Sequence, residues 1–146
     1  MAEHVPPSKE QVIGFMQARD AHTVLHALGV RTVQFDADCA VVEVEVSERL
    51  FQHAGIVHGG VYVLLAESAA SIAAALSVDV SRFRVAGQEI SASHVRASTQ
   101  GTLRAEARPL HKGRTSIVYS IDVTNDGKLV STCRCTIAVR PIEARP

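Results

Sequence analysis

Hydrophobic and polar positions change rhythm three times along this chain, and each change marks a different kind of element. After a Pro6-Pro7 break, Ser8 stands where a helix N-cap would, and Glu10 falls in the first turn. Val12, Ile13, Phe15 and Met16, then Val24, Leu25 and Leu28, suit one or two short amphipathic helices ending at Gly29, so residues 1–29 form an N-terminal helical segment. From residue 30 the period falls to two. Residues 30–36 and 39–47 read as strands, and in the second Val42, Val44 and Val46 alternate with Glu43, Glu45 and Ser47, which leaves one face wet.

A loop from Arg49 to Val57 leads into HGGVYVLLAESAASIAAALS, His58 to Ser77. This stretch is rich in Ala and Leu, has no Pro, and carries glycine only at its start, so it predicts a helix. It is apolar on nearly every side and should lie buried in the middle of the fold. From about Arg84 four β-rich stretches follow, 84–98, 101–111, 114–124 and 128–139, with a tail over 140–146. Turns fall at Gln100-Gly101, Lys112-Gly113 and Asn125-Asp126-Gly127. Two strands, one buried helix and four strands joined by short hairpins predict a curved antiparallel β-sheet wrapped around one central α-helix. That is an α+β fold, in a single domain spanning residues 1–146.

Composition narrows what such a fold can bind. With 47% hydrophobic and 21% charged residues, the 146-residue chain is globular rather than disordered. Fifteen Lys and Arg balance fifteen Asp and Glu, which argues against a nucleic-acid binder, and 4% aromatic residues with no Trp disfavour a base-stacking platform. Cys39, Cys133 and Cys135 are an odd number with no paired framework, and on an extended segment Cys133 and Cys135 share a face. They read as reduced packing residues of a cytoplasmic protein. No CxxC occurs, and a metal site needs more ligands at set spacings than the sequence shows. The N-terminus has neither a basic nor an apolar stretch to make a signal peptide, and Glu67, Ser68 and Ser71 make the Val61–Leu76 run too polar to span a bilayer.

Glu67 is the outlier. It sits in the most apolar helix, flanked by Leu64, Leu65, Ala66, Ala69 and Ala70. A buried carboxylate must be paired, hydrogen-bonded or protonated, and desolvation would raise its pKa toward the range useful for acid–base work. Ser71 follows at i+4 on the same face. The plainer alternative is that Glu67 pairs with a buried Arg or caps a strand. His58-Gly59-Gly60 opens the same helix, where free backbone N–H groups and a partial positive charge meet glycines that a carbonyl oxygen can approach, as an oxyanion hole requires. Tight packing would equally explain those glycines. Gly59 and Glu67 lie about 12 Å apart along one helix at ~1.5 Å per residue. If both serve one reaction, they come from two subunits whose central helices run antiparallel.

Charge is unevenly distributed. From His94 to Arg114 there are five basic residues (Arg96, Arg104, Arg108, Lys112, Arg114) against Glu106 alone, a local excess of four offset in the rest of the chain. One reading is a solvated sheet face. The other is a patch for a few phosphates, with the Lys112-Gly113-Arg114-Thr115-Ser116 turn supplying cations and hydroxyls.

With these residues in place, Gln52-(x5)-His58-Gly59-Gly60-(x6)-Glu67-(x3)-Ser71 resembles the signature of hotdog-fold acyl-CoA thioesterases. The likeness is greatest to the branch with 1,4-dihydroxy-2-naphthoyl-CoA thioesterase and the Arthrobacter-type 4-hydroxybenzoyl-CoA thioesterase. Gly87 to Ala97 and Pro109 to Arg114 resemble the same branch, so the likeness runs from about residue 15 to 140. It implies hydrolysis of an acyl- or aroyl-CoA by a homodimer that pairs into a homotetramer, with no cofactor beyond the coenzyme A of the substrate and no membrane or nucleic-acid partner. Glu67 would be the catalytic carboxylate, as nucleophile or as general base. The Gly59 amide would bind the carbonyl oxygen, Gln52 and His58 would orient the thioester, and Ser71 would support Glu67 or the attacking water. Gly87, His94, Val95, Arg96 and Ala97, with His111, Lys112, Gly113, Arg114, Thr115 and Ser116, would contact the CoA arm. A hotdog hydratase or dehydratase and a non-catalytic acyl-CoA-binding module are the competing functions.

Overall fold

Ser8 caps a helix, as its position before an apolar run predicts. Its hydroxyl accepts the Gln11 N–H while the Gln11 side chain accepts the Ser8 N–H, a capping box that opens α1, Lys9–Arg19. The computed structural model describes residues 5–142, so residues 1–4 and the 143–146 part of the expected tail lie outside the described residues. A single 3₁₀ turn leads to α2, Val24–Leu28, which stops at Gly29 with a φ of 75°. Glycine takes that left-handed backbone without the clash a Cβ would bring.

Six strands follow in one antiparallel sheet. They are β1 (Arg31–Gln34), β2 (Ala40–Glu45), β3 (Phe83–His94), β4 (Thr102–Lys112), β5 (Ser116–Asn125) and β6 (Lys128–Pro141), in the spatial order β1-β2-β4-β5-β6-β3. Two of the three expected hairpins form. The 125–128 turn has positive φ at Asp126 (46°) and Gly127 (79°), the twist that suits a two-residue hairpin. The Gln100-Gly101 turn is not a hairpin. β3 pairs with β6 while β4 pairs with β2 and β5, so residues 95–101 carry the chain from the sheet edge to its middle. A turn signal records a change of direction and says nothing about the partner. The strand expected to reach residue 98 ends at His94, because the next two N–H groups, of Val95 and Arg96, both turn to the Val130 carbonyl. At the other end β6 continues to Pro141, into the expected tail.

The sheet curves around α3, Gly59–Ser77. Leu65, Ala66, Ala69, Ala70, Ala73 and Ala74 are fully buried against Val42, Val44, Leu103, Tyr119, Ile121, Cys135 and Ile137. Alanine is the repeated choice on this face, which lets the sheet approach the helix closely. By length and composition α3 could cross a membrane, contrary to the sequence expectation, but here its apolar face forms the core. The opposite face, with Leu64, Glu67, Ser68 and Ser71, is only half-buried, so the helix is less enclosed than its composition predicts. Cys133 and Cys135 point inward with Arg134 outward, and all three cysteines are buried free thiols. β3 is left as a 12-residue edge strand, mostly exposed, with one row of backbone groups unpaired in the sheet.

Candidate active site

Glu67 lies midway along α3 and turns toward β3. It is half-buried rather than enclosed, and it makes no hydrogen bond or ion pair with any described residue. Among the described residues there is therefore no buried arginine partner for it. Its carboxylate rests on Gly87: a methyl group built there would clash with Oε1 and stand 2.8 Å from Cδ. Pairing shifts at this point, from Gly87 opposite Ile137 to Glu89 opposite Thr136, so Gln88 is the extra residue of a β-bulge. A bare backbone at a bulge leaves the room that the carboxylate fills. Beside it lies Cys135. Burial above all, then the charges of Glu67 and Glu89, push that thiol up to about 12, which keeps it neutral. Ser71 is one turn further on and makes no hydrogen bond to Glu67. It lines a cavity of about 650 Å³ with Phe15, Met16, Leu25, Val30, Phe35 and Ile72.

A second cluster forms at the start of α3. His58 is the N-cap: its Nδ1 accepts the Gly60 N–H at 2.8 Å, and its carbonyl accepts the Val61 N–H. Because Nδ1 is the acceptor, Nε2 carries the ring proton. The Gly59 N–H has no partner among the described residues. Gln52 holds its own loop, its side-chain oxygen accepting the Ala54 N–H and its carbonyl the Gly55 N–H. Gln52, Gly59, His94, Val95, Arg96 and Ala97 line one cleft of about 380 Å³ with Ile56, Val57 and Tyr62. A methyl group on Gly59 would stand 2.8 Å from His94 Nε2. Arg96 is turned onto the Leu129 carbonyl at 2.8 Å.

One chain does not join these clusters. Glu67 is eight residues along α3 from Gly59, about 12 Å by helical rise. The turn from His111 to Ser116 lies at the Glu67 end. Ala138 stands opposite both Ser116 and Ala86, whereas Ser131, opposite His94, is seven residues away, about 23 Å at ~3.3 Å per residue. Within the turn, Gly113 N–H donates to the Ser116 carbonyl, and the Thr115 carbonyl accepts from Val139 N–H and Arg140 Nη1.

Three cations of the basic segment are held in ion pairs. Arg104 pairs with Glu43 at 2.6 Å, Arg108 with Glu106 at 2.6 Å and Lys112 with Asp38 at 2.7 Å. Register explains the first, since Glu43 and Arg104 are direct cross-strand partners. Arg114 makes no ion pair with any described residue.

Tyr62 and Ser131 sit at these clusters without having been singled out, and Cys135, by its sequence a packing residue, lies beside Glu67. For Ser131 a signal existed: it extends the inward-pointing row of Cys133 and Cys135, where a hydroxyl needs a partner. Among the described residues no group of three or more His, Cys, Asp or Glu is placed to hold a metal ion.

Residues 54–132 match the thioesterase superfamily. A 1,4-dihydroxy-2-naphthoyl-CoA hydrolase of Listeria monocytogenes is 41% identical over 114 residues, 77% of this chain and 92% of that protein. Proofreading thioesterase EntH of Klebsiella pneumoniae is 33% identical, over 90% of this chain and 96% of that one. Among solved structures, a glutamine-to-alanine mutant of thioesterase PA1618 from Pseudomonas aeruginosa superposes with a TM-score of 0.82 at 35% identity, covering 93% and 96% of the two chains.

Proposed function

The chain belongs to the thioesterase superfamily and has the hotdog fold of a thioester hydrolase, and from that premise we propose that it cleaves an acyl- or aroyl-coenzyme A in a site built by two copies. The observation that carries this reading is the Glu67 carboxylate, lodged against Gly87 with no structural partner among the described residues. A half-buried carboxylate with nothing to neutralise it is poor structural material and good acid–base material.

The thioester carbonyl oxygen is received by the Gly59 N–H at the positive end of α3, with Gln52 and the His58 Nε2–H orienting the group. Glu67 of the partner subunit then either takes a proton from water, whose oxygen attacks the carbonyl carbon, or attacks that carbon itself. In both routes the C–S bond breaks, the thiol of coenzyme A leaves with a proton, and water completes the carboxylic acid. Ser71 stands one turn from Glu67 to support the water. A thioester is electrophilic enough that this needs no metal or redox cofactor.

Support for the dimer comes from β3. A long edge strand invites pairing, and an antiparallel two-fold centred between Ile90 and Ser91 would set Gly87 opposite the partner's His94. The same pairing would bring the His111–Ser116 turn of one chain to the Val95–Ala97 segment of the other, so that the CoA arm is held from both sides, with Arg114 free for phosphate. The assembly is a homodimer that pairs further into a homotetramer, a cytoplasmic enzyme with neither membrane nor nucleic acid as partner. An aromatic or hydroxyaromatic acyl group suits it best, by likeness to the naphthoyl-CoA hydrolase and by the Phe15 and Phe35 walls of the larger cavity.

The test is thiol release from a panel of benzoyl-, hydroxybenzoyl-, hydroxynaphthoyl-, phenylacetyl- and fatty acyl-CoA. Glu67→Gln should lower kcat by at least ~10²-fold on every substrate the protein cleaves. Near-full activity in that variant would refute the assignment.

A further inference from the structure

Gly59 supplies one N–H to the carbonyl oxygen, and an oxyanion hole works best with two donors. His94 is the side chain nearest that glycine. It ends β3, where the backbone leaves the ladder, and its ring is fixed on three sides. Nδ1 lies 2.9 Å from Ser131 Oγ, the ring centroid lies 5.3 Å from that of Tyr62, and Nε2 stands 2.8 Å from where a methyl group on Gly59 would be. Only a residue without a side chain at position 59 admits the imidazole so close to the helix start.

We propose that His94 is the second donor of the oxyanion hole, presenting Nε2–H beside the Gly59 amide, and that the buried Ser131 is the positioning residue that sets its tautomer. This rests on the thioesterase reading above and adds a contact to it. Ser131 is fully buried and its hydroxyl has one proton to give. Three groups surround it: His94 Nδ1 at 2.9 Å, the Ser93 carbonyl at 3.3 Å and Cys133 Sγ at 3.5 Å. The Cys133 contact is the longest of the three, and either atom can be the donor in it. In the proposed arrangement the hydroxyl proton goes to its nearest neighbour, Nδ1 at 2.9 Å. A ring that accepts at Nδ1 carries its hydrogen on Nε2, the nitrogen next to Gly59. The chain of donors runs Ser131 to His94 to the carbonyl oxygen, and no proton needs to be transferred along it.

This role differs in kind from a contact to the CoA arm. A donor to the developing oxyanion acts on kcat, and it acts whatever leaving group the thioester carries. The experiment therefore compares an acyl-CoA with the same acyl group on N-acetylcysteamine, which lacks the nucleotide and its phosphates. His94→Ala should lose about 10²-fold in kcat on the acyl-CoA with little change in KM. It should lose a similar factor in kcat/KM on the truncated thioester. His94→Gln, which keeps an N–H, should recover most of that loss. Ser131→Ala should lower kcat by a smaller factor at unchanged KM, and Ser131→Thr should restore it. If His94→Ala instead raises KM for acyl-CoA and leaves the truncated substrate untouched, the residue serves the CoA arm and the proposal fails. Full activity in His94→Ala also overturns it. Glu67→Gln, run alongside, separates the two levels: an inactive Glu67→Gln with an active His94→Ala rejects this donor alone, and an active Glu67→Gln rejects the underlying reaction.

Discussion

Adding one methyl group at residue 87 should cripple turnover while leaving the fold intact. Gly87→Ala puts a Cβ in steric overlap with Glu67 Oε1 and 2.8 Å from Cδ. Ordinary contact needs about 3.5–4 Å between carbons, so the carboxylate has to withdraw by roughly an ångström or more. The strand need not move, because the obstacle is the far end of a flexible side chain rather than backbone. Alanine also restricts the unfolded chain more than glycine does, so stability should stay within about 1 kcal/mol of the parent. A misplacement of ~1 Å at a reacting group costs about 10²-fold, or about 2.7 kcal/mol of barrier at ~1.36 kcal/mol per tenfold. Thiol release followed with a chromogenic reagent gives kcat, and thermal melting on the same samples gives stability. The expected result is an unchanged melting temperature with kcat down about a hundredfold. A Gly87→Ala protein that keeps more than half its kcat would refute the argument, because the space beneath Glu67 would then have no bearing on catalysis.

Two further outcomes follow from charge. The Cys135 thiol stands at about 12 in the folded chain against an ordinary value of 9.0. Below pH 9 both states hold the proton and stability is unaffected. Between 9 and 12 the unfolded chain releases its proton first, so stability falls as pH rises, by on the order of a few kcal/mol in all. Urea midpoints at pH 8, 9.5 and 11 should therefore drop more steeply for the parent than for Cys135→Ala; equal slopes would contradict this. In the basic segment, Arg114→Ala should raise KM for acyl-CoA severalfold, because Arg114 makes no ion pair with any described residue. Arg104→Ala should leave KM unchanged, its guanidinium being held by Glu43 at 2.6 Å. The reverse ranking would mean that the phosphates sit on the outer face of the sheet.

Periodicity carried most of the fold because each element's burial follows its own local pattern. The α3 stretch is legible from its alanines and the start of α1 from Ser8. Partners across the sheet are not local properties. Nothing in Gln100-Gly101 tells that β3 will pair with β6 and leave β4 to β2, and that is the part the pattern misread. The site divides along the same line. Glu67 stands out because a carboxylate in an apolar helix needs a reason, and His58-Gly59-Gly60 because glycines open that helix. Its surroundings are long-range: Gly87 lies twenty residues beyond Glu67 and Ser131 lies thirty-seven beyond His94. The pairing of the charge excess is long-range too, since two of its counter-ions, Glu43 and Asp38, lie far off in the sequence.

The central claim is that Glu67 and Gly59 of different chains make one site, and subunit exchange tests it most directly. Glu67→Gln and Gly59→Val proteins, each inactive alone, are mixed in equal amounts and allowed to exchange, with heterodimer content verified by mass. A composite site predicts that each heterodimer carries one site with both residues intact. With about half the dimers mixed, activity should return to roughly a quarter of the parent's. If the two residues act within one chain, every site in the heterodimer is missing one of them. No recovery after verified exchange would then contradict the account.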